Sequence, residues 1–471
     1  MKRFAALVLV ILTFFSLVSC ASAKKETSGA ESEYPKYETQ KNVGNPSALG
    51  ATSTENSTFP NVHIKVEGRK EIERKDIYLR AIVSIDNCPE QYVLENVAAE
   101  VRRRGNGTFR MEKPAYRIRF AEKYNLFGQA NGYGRSWVLL ANSSDACMLR
   151  THAVFAMAHT LENIAWTTSS SFVQLYVNDT YRGVYQLVEQ HNTSDGRIEI
   201  NEDPNVIDTD YLIELDEYAG SDGSLGVDWF QVNKFNYNGG SGQGIKINKY
   251  LIRSDYNTKE KCSFLHDYFK KADDAIIKGD YDEVSRYIDL DSFIDMYILH
   301  ELSRNGDVGW SSFYMVKKAG DKIYFTCPWD FDNTFGNDGR IHKNSYKYLH
   351  AGNGVQKEKQ SHSWYFTLFQ RKWFVDMVAK RWNEVAEGMR DTAIKEIDRI
   401  YNDFGAELVR NYEVWKVKTK KYETDFDPPL IQDSYDEHVE FLKLYLNLRY
   451  DWLNDYFNSD QKYEQLAAGE R

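Results

Sequence analysis

Asp307, Ser312, Asp330 and Asp332 fall at the two ends of one short stretch, Asn305 to Gly336, and are of the types that hold a divalent cation. Phe313 to Lys317 and Lys322 to Thr326 read as two strands, and Lys318-Ala319-Gly320-Asp321 as the turn between them. Folded about the middle of that turn, the segment sets Ser312 opposite Cys327 and Asp307 level with Asp332, close to Asp330. Carboxylates gathered in this way are costly to keep ionised unless a cation neutralises them. Two aspartates with a hydroxyl nearby suit Mg²⁺ (or Mn²⁺), which takes a few oxygen ligands together with water and phosphate oxygens. A third aspartate set slightly apart can orient an attacking hydroxyl and accept its proton. The competing reading is a solvated acidic loop. Asp425-Phe426-Asp427 repeats the triplet before Pro428-Pro429 and reads as a turn, so the copy at 330 draws its weight from the hairpin, Asp307, Trp329 and Gly336.

Phosphate would need cations as well. Arg102, Arg103 and Arg104 precede Gly105-Asn106-Gly107, a loop whose backbone N–H groups can approach an anion. Arg104, next to the turn, is the preferred phosphate contact, although alternate arginines also end a strand at a solvated face. Lys113 can neutralise nucleotide phosphates from the start of a strand, or be a strand-edge lysine. Glu189 closes a strand hairpin, where it can border a nucleotide or make a structural ion pair. The ten histidines contain no His-Glu-x-x-His. His342, His350 and His362 are expected in a mobile polar segment.

The elements that must carry these groups change character along the chain. Val62 to Val66, Ile77 to Ile85, Tyr116 to Phe120, Phe172 to Val177, Tyr181 to Val188, Tyr211 to Leu215 and Gly244 to Ile252 read as strands. Asn178-Asp179-Thr180 is a hairpin turn, and a helix with Met148, Thr151, Phe155 and Leu161 at helical spacing is capped by Ser144 or Asp145. The run at 239–244 lacks the lysine of a phosphate-binding loop and reads as a flexible connection. Helical patterns cover roughly 257–279, 290–303, 363–405 and 431–457. A strand-rich half followed by a helix-rich half predicts an α+β fold of two lobes with a cleft between them.

The order aspartate, short hairpin, Asp-Phe is also that of the protein-kinase catalytic loop and metal motif. With Arg102 to Phe109, Lys113 to Phe120, Trp137 to Asn142, Leu149-Arg150, Tyr176 to Gln190 and Pro328 to Gly336, the chain resembles the CotH family of spore-coat-protein-H-like kinases over roughly residues 60–385. The resemblance implies an atypical protein-kinase-like fold and Mg²⁺-dependent transfer from ATP to Ser or Thr of an extracytoplasmic protein. By position it makes Asp307 the catalytic base and Asp330 the metal ligand, with Asp332 beside it. Ser312 stands where kinases carry a metal-binding Asn. That departure keeps open a non-catalytic surface assembly or adhesion protein on a kinase-like scaffold. A nucleotide-sugar glycosyltransferase, which also uses Asp-x-Asp, is the other alternative.

The N-terminus sets the location. Lys2 and Arg3 precede an apolar run from Phe4 to Val18 that closes on Leu17-Val18-Ser19-Cys20. This is a signal peptide over 1–20, and its end resembles a lipoprotein cleavage site with Cys20 as the lipidated residue. Residues 21–57 are a polar linker, 58–457 the folded domain with lobes 58–220 and 221–457, and 458–471 a polar tail. The expectation is an exported protein tethered to a membrane only through its N-terminal lipid. A net charge of −10 argues against a nucleic-acid partner. Cys88, Cys147, Cys262 and Cys327 are too scattered for a zinc motif and read as free thiols.

Overall fold

Alternation makes the first strand: on β1 (Asn61–Val66), Val62, Ile64 and Val66 are buried while His63 and Lys65 turn outward. The computed structural model describes residues 59–470, apart from 128–131, 194–195, 222, 240–241, 339–344, 348, 353–361 and 417–431. All of these belong to the unit Tyr37–Arg471. The expected signal peptide and linker, Cys20, His342 and the second Asp-Phe-Asp triplet lie outside the described residues.

Six further strands join β1: β2 (Leu79–Asp86), β3 (Leu94–Arg104), β4 (Ala115–Tyr124), β5 (Gly134–Leu140), β6 (Ser170–Val177) and β7 (Thr180–Glu189). They form a closed barrel in the order β1-β2-β3-β4-β5-β7-β6. Its one parallel pairing, Asn61 opposite Gln174, joins β1 to β6 and closes it. Val83, Val101, Ile118, Trp137 and Leu175 fill the interior. The β6–β7 turn places Asn178 and Asp179 at φ 50° and 67°, the positive angles a two-residue hairpin requires. Between β5 and β6 runs α1 (Arg150–Ala158), buried along its whole length.

A second sheet, in the order β12-β11-β8-β10-β9, combines β8 (Tyr211–Leu215), β9 (Trp229–Gly239) and β10 (Gly242–Ile252) with the hairpin β11 (Phe313–Lys317) and β12 (Ile323–Thr326). The helices that follow are α2 (Lys259–Lys278), α3 (Tyr281–Tyr287), α4 (Leu290–Ser303), α5 (Ser363–Leu368), α6 (Lys372–Val414) and α7 (Tyr435–Phe457); α2 packs on β9 and α4 on β12, whereas α6 runs against α1 and the barrel strand β7. Thr258, Asp280, Asp289 and Ser434 each accept a first-turn N–H of the helix that follows. The molecule is thus α+β, strand-rich toward its N-terminus and helix-rich toward its C-terminus.

Several expectations change. The β11–β12 hairpin pairs Tyr314 with Thr326 and Lys317 with Ile323. This is one residue out of the expected register, because the connection runs from Lys318 to Lys322 and closes with Lys318 N–H on the Lys322 carbonyl. The expected helix over 363–405 is two, separated at Phe369–Arg371. The run at 239–244 supplies paired strand ends, Gly239 opposite Gly242. His350 and His362 are buried, and His362 caps α5. The four described cysteines are free, in agreement with the sequence reading; three are buried and Cys88 is half-buried.

Candidate functional site

Asp307 is set by the way α4 ends. Arg304 terminates the helix in the left-handed conformation, at φ 51°. Asn305 Oδ1 then accepts the Asp307 N–H at 2.8 Å, and the Asp307 carbonyl accepts from Trp310 N–H at 2.8 Å. The hairpin that follows is pinned at its tip. Lys317 Nζ reaches Asp208 at 2.7 Å and Lys318 Nζ reaches Asp210 at 2.6 Å. The same two carboxylates accept the N–H groups of Gly320 and Ala319.

Beyond β12 the backbone leaves regular geometry. Cys327, Asp330 and Phe335 have φ of 55°, 67° and 46°, and so does Ser312 at 58° before the hairpin. Each such non-glycine residue costs on the order of 1 kcal/mol or more and persists only where the surroundings hold it. Here the burial of Trp329, Phe331 and Phe335 does so. The next residue is Gly336, at φ 76°, packed so that a Cβ would stand 2.6 Å from the Tyr445 ring.

Asp330 is exposed and lines a small cavity. Loss of surrounding water, then the charges of Asp332 and Asp307, push its carboxyl up to about 7, against the pull of Arg104. Asp332 is buried, and burial raises its carboxyl too, opposed by the Ser144 hydroxyl that donates to it. Asn337 ties the segment together by donating to the carbonyls of Asp332 (2.7 Å) and Ser144 (2.8 Å). Arg150 on α1 clamps the same loop, with Nε on the Thr334 carbonyl at 3.1 Å and Nη1 on Asp145.

Arg104 comes from the end of β3. Its guanidinium lies over the Trp329 ring at 5.6 Å and is electrostatically coupled to Asp330. The turn after it needs Gly105, at φ 109°, where a Cβ would run into the Thr108 hydroxyl. Arg103 shapes this turn by donating to the carbonyls of Phe109 and Met111, and Arg102 stacks on Tyr78. Arg104, Thr108, Ser143, Trp329, Asp330 and Asp332 line one small cavity of about 30 Å³.

The structure therefore brings Arg104, Asp307, Asp330 and Asp332 into one electrostatic neighbourhood. Ser312 stands half-buried at the start of the hairpin. Lys113 and Glu189 have other partners. Lys113 Nζ donates to the Val184 carbonyl at 2.6 Å. Glu189, fully buried, accepts the Ser169 N–H at 3.1 Å and is electrostatically coupled to Arg197. Ser144, Arg150 and Asn337 were not expected at the site. Leu149-Arg150 and Pro328–Gly336 stand out in the sequence, but only the fold joins Arg150 to Thr334.

Among the described residues no three His, Cys, Asp or Glu groups stand together as a ready metal cage. Mg²⁺ does not require one. An ion that takes one or two carboxylates and fills its shell with water and phosphate oxygens fits Asp330 and Asp332, whose mutual repulsion a cation would relieve.

The profile of the family described as CotH kinase protein matches residues 101–453. Comparison with curated proteins returns no match. The match spans most of the chain, and the chain belongs to the CotH family.

Proposed function

We propose that this CotH-family member transfers the terminal phosphoryl group of ATP to a Ser or Thr hydroxyl of an extracytoplasmic protein, in a kinase-like arrangement with the barrel as one lobe and the second sheet with its helices as the other. The observation that supports it is the electrostatic coupling of Asp330 to Asp332, Asp307 and Arg104, whose guanidinium stacks on Trp329. Asp330 and Asp332 would hold Mg²⁺, which supplies positive charge to the phosphate oxygens when bound. Arg104 contributes a planar donor to the same phosphates. Asp307, on its separate turn, orients the acceptor hydroxyl and takes its proton. This division of labour asks little covalent chemistry of the protein, which suits phosphoryl transfer. Arg104 is the phosphate contact in this reading. The partners of Lys113 and Glu189 give those two residues a less direct part in nucleotide binding.

The sequence from Lys2 to Cys20 supports export and a lipid tether at Cys20. Among the described residues no helix is long and apolar enough to cross a membrane.

Calorimetric titration tests the nucleotide site. ATP is expected to bind with Mg²⁺ present, to weaken at least tenfold without it, and to be lost in Asp330→Asn. Binding of a sugar nucleotide in preference to ATP would favour the glycosyltransferase alternative. Ser312, in place of the usual Asn, favours a second reading: a scaffold that binds nucleotide without turnover.

A further inference from the structure

The outer face of strands β3 and β4 carries an excess of positive charge. On these antiparallel strands Arg104 stands opposite Ala115, Arg102 opposite Arg117, and Glu100 opposite Arg119. These are three successive rows on one face, spaced about 7 Å apart along the strands. Val101 and Ile118, between them, belong to the barrel interior. The first row, at Arg104, is coupled to Asp330, and the last, at Arg119, is open to solvent.

Like charges directly opposite one another on a sheet repel, and Arg102 and Arg117 are so placed. Burial first, then the charges of Arg102, Arg104 and Arg119, lower the pKa of Arg117, against the pull of Tyr78. The nearby acids are engaged elsewhere. Glu100 is held by Arg119, whose Nε donates to it at 2.9 Å. Asp76, which feels the charge of Arg102, accepts from the Arg74 guanidinium with both of its oxygens. Arg102 donates to the Lys75 carbonyl, and Arg117 donates to the Ser136 hydroxyl at 3.3 Å, both uncharged acceptors. Two of the guanidiniums are nevertheless fixed in position. Those of Arg102 and Arg119 lie over the same Tyr78 ring, at 5.1 and 4.2 Å. Ordered guanidiniums that repel one another suit a partner that brings negative charge, and little further ordering is needed to bind it.

We infer that this arginine track binds an acidic segment of the acceptor protein, whose carboxylate or phosphoryl groups meet Arg102, Arg117 and Arg119. An extended chain advances about 3.3 Å per residue, so every second side chain of the segment meets a new row. The track begins beside the proposed metal ligand, is two strands wide and has Glu100 within it. That shape suits a polypeptide strand, whereas a membrane surface would call for a broad face of one sign. The chain as a whole has a net charge of −10, so attraction of an acidic partner is local to the face that leads into the site. Arg104 stays with the nucleotide phosphates. The use made of the bound segment rests on the phosphoryl-transfer reading; its binding does not.

The test is fluorescence anisotropy of labelled peptides with the full chain, each peptide carrying a central Ser flanked by Glu, by phosphoserine, by Gln or by Lys. The Glu or the phosphoserine peptide is expected to bind about tenfold or more tightly than the Gln peptide, and the tighter of the two identifies the acidic group. The Lys peptide should bind least. Arg102→Gln with Arg117→Gln should weaken acidic binding about tenfold, and Arg119→Gln, on the exposed row, by a smaller factor. Glu100→Gln, which frees Arg119, should tighten it. Binding of the Gln or Lys peptide as tight as that of the acidic ones would overturn the assignment, as would acidic binding that survives all three arginine substitutions. So would arginine-dependent binding to phosphatidylglycerol vesicles without binding to any peptide. Incubation with γ-labelled ATP separates this inference from the reading it deepens. An acidic peptide bound through these arginines yet never labelled would support the track and contradict phosphoryl transfer. Labelling of the Gln peptide as fast as the Glu peptide would do the reverse.

Discussion

Lys113 holds its amine where water scarcely reaches, and that has a consequence for stability. Its folded-state pKa is lowered from the usual 10.5 to about 7, so unfolding takes up a proton between those values. Stability associated with Lys113 is therefore present above about pH 10.5, is lost as pH falls toward 7, and stays constant below. Replacement by Met, which fills similar volume without the charge, should stabilise the protein at pH 7 by about 3 kcal/mol after allowing for the lost bond to Val184. The gain should disappear above pH 10.5. Urea denaturation of both proteins at pH 7 and pH 10.5 measures this, and a gain that does not depend on pH would contradict it. Ser144 acts on a different group, by donating to Asp332. Ser144→Ala should lower Mg²⁺ affinity by roughly tenfold, as loss of a bond that orients a ligand commonly does. Unchanged affinity in a calorimetric titration would remove Ser144 from the site.

At the scale of elements, the segment from Cys327 to Gly336 gathers positive backbone angles around buried aromatic side chains. Gly336→Ala would put a Cβ against Tyr445 at a φ that alanine adopts reluctantly. It should cost about 2–4 kcal/mol and weaken Mg²⁺ binding with it. A denaturation curve that overlays the wild type would show that the segment tolerates repacking. The hairpin itself was readable in the sequence because strand residues flank Ala319-Gly320. Its register was not, since placing the centre of a turn by residue type leaves an uncertainty of one position, and one position exchanges the faces of a strand. Strand β3 was hidden for another reason. Its sequence Leu-Glu-Asn-Val-Ala-Ala-Glu-Val-Arg-Arg-Arg sets only small or scattered apolar residues against charged ones, a weak alternation until both neighbours pair with it. The β6–β7 turn was visible because Asn178-Asp179 is a composition that positive φ selects.

At the scale of the molecule, the change from strand-rich to helix-rich sequence was legible, and barrel closure was not. Closure depends on β1 pairing in parallel with β6, more than a hundred residues away, and no local pattern encodes that contact. The same distance explains the site. Asp307, Asp330 and Asp332 lie in one stretch and could be grouped by motif, whereas Arg104, Ser144 and Arg150 reach them only through packing of the barrel and α1 against the second sheet. The proposed tether belongs to this scale as well. Cys20→Ser should move the protein from the membrane fraction to the soluble fraction of cells, and an unchanged distribution would argue against lipidation.

The proposed chemistry depends on whether Asp307 takes part in turnover or stands beside a nucleotide that is only held. Incubation of the full chain with Mg²⁺, γ-labelled ATP and casein as a Ser/Thr-containing acceptor separates the two. Label in the acceptor or in the chain itself, lowered at least a hundredfold in Asp307→Ala while ATP binding persists, is the result expected of a kinase. Equal incorporation by wild type and Asp307→Ala, or none by either, would contradict it.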